Sequence, residues 1–137
     1  MRQPHAILAA PELAGLIDLD QPACVILASV LHFAEPDEAD AIVAALTAAM
    51  TAGSYLIISA GTCTGIDPDL ISRLQAAYQG TTVVTGRTEA EIARYFTGLD
   101  LLPPGLTDVQ AWRPDRWVSQ PCTAARILGA VGRKSVG

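Results

Sequence analysis

Residues 23–33 read ACVILASVLHF and residues 53–60 read GSYLIISA, and these two runs decide the fold. The first is continuous apolar sequence bounded by Gln21-Pro22 and Glu35-Pro36-Asp37, and it closes on Ser29, His32 and Phe33. An apolar run without alternation predicts a strand over 24–31 buried on both faces, as in a parallel sheet. Between the two runs, residues 37–50 place Ala41, Ile42, Ala45, Leu46 and Ala49 at helical spacing. Asp37 is the expected N-cap, with Asp40 in the first turn. Gly53 punctuates, and residues 55–59 form a second β-rich run. The result is one βαβ unit with polar residues at the carboxyl ends of both strands, where open α/β sheets bind ligands.

Working outward, residues 6–16 predict a helix, with Pro11 able to start a second short one. After the second strand, GTCTG at 61–65 reads as a polar loop. Asp67 and Pro68 open a helix running to Tyr78 and ended at Gly80. Residues 81–85 are β-branched but short, an extended loop or an edge strand. Thr88 with Glu91 forms a capping box that starts a helix through Phe96, and Gly98 stops it. Pro103-Pro104-Gly105 breaks the short run 99–102. Residues 109–113 read as a strand and 124–131 as the last strand, with a loop over 114–121 between them. Two helix-linked strands followed by a closing antiparallel pair imply an α/β fold with helices on both faces of the sheet.

At 137 residues a single domain over 1–137 is expected. Half the residues are apolar and 17% are charged. That supplies a core and implies surplus apolar surface, as in a fragment or an oligomer; abundant alanine is the blander source of the same composition. The net charge of −5 and the lack of a basic stripe exclude nucleic-acid binding through phosphates. The apolar runs fall short of a membrane span of about 20 residues. The first twenty residues carry acids and no cleavage pattern, so the expected location is cytoplasmic. Cys24, Cys63 and Cys122 are odd in number and widely spaced, which predicts small buried or half-buried thiols, not a disulfide framework or a zinc site. Glu35, Asp37, Glu38 and Asp40 suit a helix N-terminus better than a metal, and no metal site is expected.

Four segments carry a family resemblance: PACVILASVLHF at 22–33, DEADAIVAALTAAMTAGSYLIIS at 37–59, TEAEIARYF at 88–96 and LPPGLTDVQAWRPD at 102–115. Together they resemble the actinobacterial S-adenosylmethionine-dependent methyltransferase-like proteins, over roughly residues 2–132. The match falls on the C-terminal half of that family's domain. The resemblance implies strands four to seven of a partial class I methyltransferase (Rossmann-like) sheet, and S-adenosylmethionine as cofactor. The family's Gly-rich strand-to-helix turn has no counterpart here: the one glycine before Gly53 is Gly15, with no strand before it.

By the same resemblance, His32 faces the methyl-donor cleft, as cofactor contact, substrate-positioning group or general base, because an imidazole titrates near neutrality. Ser29 would meet the cofactor's amino-acid end, and Phe33 would stack near its adenine or the substrate. Ser59, Tyr78, Tyr95 and Trp112, with Arg87, would wall the acceptor pocket. For each of these residues the competing reading is structural. The implied activity is methyl transfer, incomplete or inactive in this chain alone; the alternative is a non-catalytic dimerisation module derived from the same fold. In the family's sheet order strand four pairs with strand one. Without it, the run 24–31 becomes an exposed apolar edge that recruits a second copy, or that the N-terminal helix covers.

Overall fold

The computed structural model of the chain describes residues 3–65, 67–77, 86–115 and 126–135. Two short helices, α1 (Pro4–Leu8) and α2 (Pro11–Ala14), precede strand β1 (Cys24–Ala28). A 3-10 turn over Leu31–Phe33 leads into α3 (Pro36–Ala49) and then β2 (Tyr55–Thr62). Helices α4 (Pro68–Ala77) and α5 (Glu89–Arg94) follow, then two-residue strands β3 (Asp100–Leu101) and β4 (Thr107–Asp108), and finally β5 (Arg126–Arg133). The sheet order is β1-β2-β5-β3, with β4 also on β5. β1 and β2 are parallel, from Cys24 opposite Tyr55 to Ala28 opposite Ser59. β5 runs antiparallel to β2, from Tyr55 opposite Arg133 to Thr62 opposite Arg126. This is the mixed α/β fold that the βαβ reading implied.

The core lies between α3, α5 and one face of the sheet. Leu27, Leu31, Ile42, Leu56, Ile58, Ile92 and Leu128 are all but sealed from solvent. Each contributes about 1.5–3 kcal/mol of apolar burial. Gly132 makes this packing close. A Cβ there would lie 2.9 Å from the Phe96 ring and 3.0–3.1 Å from two atoms of Leu99. Gly132→Ala is therefore expected to cost about 1–3 kcal/mol through overpacking; an unchanged midpoint in urea denaturation would contradict this packing.

Several boundaries differ from the sequence reading. The expected N-terminal helix is two helices, because Ala10 before Pro11 is extended at ψ 127. β1 ends at Ala28, three residues early, because Ser29 turns the backbone to φ +50. α3 starts at Pro36, so the N-cap position belongs to Glu35, with no side-chain cap bond, rather than to Asp37. Its buried stripe is Ala39, Ile42, Val43 and Ala45, and Ala41 is exposed. β2 runs on through Gly61 and Thr62 because β5 pairs with it that far. Residues 109–113 are not a strand: Asp108 Oδ1 accepts from Gln110 N–H at 3.1 Å and bends Val109–Ala111 into a 3-10 turn. Asp67 does cap α4, accepting from Asp69 N–H at 2.8 Å. The capping box of Thr88 and Glu91 is complete. The readings at 81–85, Tyr78, Gly80, Cys122 and 124–125 lie outside the described residues.

Among the described strands β1 is the edge of the sheet, and it is not buried on both faces. Ile26 is 61% exposed, and Cys24 and Ala28 beside it are exposed too. Only Leu27 is fully buried. Cys24 is thus a free exposed thiol, not a half-buried one, while Cys63 is free and half-buried. Among the described residues, no helix is long and apolar enough to cross a membrane.

Candidate functional site at the carboxyl ends of β1 and β2

β1 ends at Ala28 opposite Ser59, three residues before β2 does, and serine joins the two strands there. Ser29 N–H donates to Ser59 O at 2.9 Å and approaches Ser59 Oγ at 3.1 Å. The two hydroxyls are 3.3 Å apart. The positive φ of Ser29 sets the direction of the chain here, an uncommon conformation outside glycine, asparagine and aspartate. It sends the chain into the 3-10 turn. Leu31 is buried, His32 half-buried, and Phe33 48% exposed. The rings of His32 and Phe33 meet with centroids 4.0 Å apart at a tilt of 54°. Ser29, His32, Phe33 and Ser59 are therefore gathered in one place.

Beneath the turn lies Arg87, 1% exposed. Its terminal nitrogen donates to Ala34 O at 2.6 Å and Leu31 O at 3.3 Å, and its Nε donates to the Tyr95 hydroxyl at 3.1 Å. The backbone of Arg87 continues the sheet in miniature, bridging Thr62 and accepting from Cys63 N–H at 2.8 Å. Sequence reasoning named Arg87 only as a pocket wall. An arginine directly before a capping box gives no signal that it will be buried.

Burial lowers the His32 pKa below its ordinary 6.5, and the positive charge of Arg87 lowers it further. The imidazole is held neutral, with one nitrogen free to accept a hydrogen bond. In the interval between that lowered value and 6.5 the unfolded chain binds more protons than the folded one. Stability contributed by this group therefore rises with pH across the interval and is lost on acidification through it. Glu91 acts in the same sense. Hydrogen bonds from the Thr88 backbone and hydroxyl lower its pKa, so its contribution is present above the ordinary carboxylate range and lost as pH falls through the lowered value.

The remaining candidates lie apart. Tyr95 is buried with its hydroxyl engaged by Arg87, and it also borders a groove of about 480 Å³ between α3 and α5, lined by Asp40, Thr47, Arg94 and Lys134. Trp112 follows the second 3-10 turn; its indole N–H is buried and has no hydrogen-bond partner among the described residues, and the Arg113 guanidinium lies 4.9 Å from its ring. That turn packs on β5. Val109 covers Gly129, and Gly129 is the β5 partner of Ser59. Tyr78 lies outside the described residues. Among the described residues, no three His, Cys, Asp or Glu gather where a metal could bind.

The sequence profile of the S-adenosyl methyltransferases matches residues 1–135. Among curated proteins, none matches the chain. Solved structures do. A candidate methyltransferase from Thermobifida fusca is 31% identical, with a TM-score of 0.87 over 98% of this chain and 52% of its own. A DUF574 family protein from Streptomyces avermitilis is 33% identical, with a TM-score of 0.85 over 97% of this chain and 52% of its own. LepI, solved with S-adenosylmethionine, is 15% identical with a TM-score of 0.54 over 87% of this chain and 29% of its own, a likeness of fold alone. The chain spans about half the length of the two more similar proteins.

Proposed function

Because the chain belongs to the S-adenosyl methyltransferase family, we propose that it forms the acceptor-side half of an S-adenosylmethionine-binding domain. The observation that carries this reading is the serine junction. Ser29 follows the carboxyl end of β1 and bonds to Ser59, where the β1–β2 pairing stops on β2, with the His32 turn directly following.

The residues present fit part of the cofactor. The paired hydroxyls of Ser29 and Ser59 retain hydrogen-bonding capacity for its amino-acid end. The exposed face of Phe33 offers a stacking surface to adenine. When bound, S-adenosylmethionine supplies an electrophilic methyl group. Neutral His32 accepts a proton or a hydrogen bond from the acceptor and orients it. Trp112, Tyr78 and Tyr95 stand as acceptor-side residues by the same reading. Positioning is the main task of a protein in such a transfer.

The 137 residues carry no Gly-rich turn after a strand and so offer little to hold the ribose. We expect S-adenosylmethionine to bind this chain weakly, with NMR perturbations confined at millimolar ligand to Ser29, His32 and Phe33. Calorimetry giving a low-micromolar dissociation constant would refute weak binding. Perturbation of His5 in α1 without His32 would remove the proposed site.

A second reading follows from the edge strand. The exposed row at Ile26 and the unpaired edge of β1 favour a dimerisation module, with two copies joined through β1 about a two-fold axis.

A further inference from the structure

Arg87 lies about as deep in the molecule as any side chain. It reaches into the turn that carries His32. Leu31 O and Ala34 O bracket His32 and Phe33 in sequence, and one guanidinium nitrogen holds both carbonyls. The Tyr95 hydroxyl takes Nε and ties the same fork to the end of α5. The Arg87 backbone is itself fixed to the end of β2 through Thr62 and Cys63. Two carbonyls three residues apart and a phenol match the planar, multi-donor shape of a guanidinium and not the point charge of an ammonium.

We propose that Arg87 is a positioning residue for the site: its guanidinium, gripping Leu31 O, Ala34 O and the Tyr95 hydroxyl, sets the orientation of the His32–Phe33 ring pair at the carboxyl end of β1. This rests on the reading that His32 belongs to the methyl-donor cleft, and it adds the device that aims it. The position of α5 is thereby coupled to the imidazole. A displacement of Tyr95 moves the fork, and the fork moves the turn.

The chain has two histidines, which makes the test direct. His32 reports on the turn through the ring current of Phe33, 4.0 Å away, and exposed His5 serves as the control. Arg87→Lys keeps the positive charge and loses the fork. In the folded variant the His32 ring-proton signals are expected to move toward those of His5, while His5 stays fixed. Tyr95→Phe removes one acceptor without emptying the core, and a smaller shift in the same direction is expected. It decides the matter where Arg87→Lys fails to fold. An unchanged His32 spectrum in folded Arg87→Lys, or in Tyr95→Phe where that is the only folded variant, overturns the proposal. These signals are read without cofactor. A failure of S-adenosylmethionine to perturb His32 would count against the site reading alone.

Discussion

Replacing Arg87 with methionine is expected to destabilise the protein more than any surface charge change. Methionine fills much of the volume but donates no hydrogen bond. Leu31 O, Ala34 O and the Tyr95 hydroxyl all lose a donor at once. A buried acceptor left without a partner costs about 1–3 kcal/mol. The phenol can rotate toward another partner, whereas the carbonyls are fixed by the turn. A loss of several kcal/mol is a large fraction of the 5–15 kcal/mol that holds a typical domain together. Urea denaturation of the variant against the parent chain measures it. A loss below about 1 kcal/mol would mean that water replaces the guanidinium and that the turn does not depend on it.

The second large effect is expected at Ile26. In a parallel pair, alternate residues point both backbone groups at the same neighbour. Ala23 O accepts from Tyr55 N–H and Ser29 N–H donates to Ser59 O, so residues 23, 25, 27 and 29 face β2. Cys24, Ile26 and Ala28 therefore turn their N–H and C=O groups to the free edge. Ile26→Pro removes a donor from that edge and spares the ladder between β1 and β2. If two copies pair through β1, the parent chain sediments as a dimer at tens of micromolar and Ile26→Pro as a monomer. A parent chain that is monomeric and fully soluble at that concentration rules the paired edge out. The proline variant also separates edge pairing from burial of the apolar face, because the face keeps Cys24 and Ala28.

The βαβ unit was legible because its signals agree. The run at 23–33, the helical spacing of Ile42, Ala45 and Leu46, and Gly53 all point the same way, and Thr88 with Glu91 is a local cap readable three residues at a time. The closing strands were less legible. At Asp108 a side-chain bond to Gln110 outcompetes the strand that Val109 and Ala111 suggest, and sequence alternation does not reveal such local competition. An apolar run likewise cannot say whether both faces are covered, and Ile26 shows that one is not. Within the candidate site, the nearness of Ser29 and Ser59 was legible because both lie in the two neighbouring runs of the βαβ unit. The φ of Ser29 and the burial of Arg87 were not, because each depends on contacts between segments far apart in the chain.

β5 deserves a kinetic reading. Among the described strands, β2, β3 and β4 pair with it and β1 does not. On a ribosome, residues 24–62 emerge well before residue 126. Until β5 arrives, the nascent sheet is a two-stranded ribbon with both edges open, and such ribbons have little independent stability. Closing it joins Thr62 to Arg126 and encloses everything between, so the step is slow and non-local. During that wait Leu56 and Ile58, sealed in the folded protein, lack the cover of Leu128 and Ala130 from β5. In the interval before β5 is translated the open edges of this ribbon are a template for aggregation.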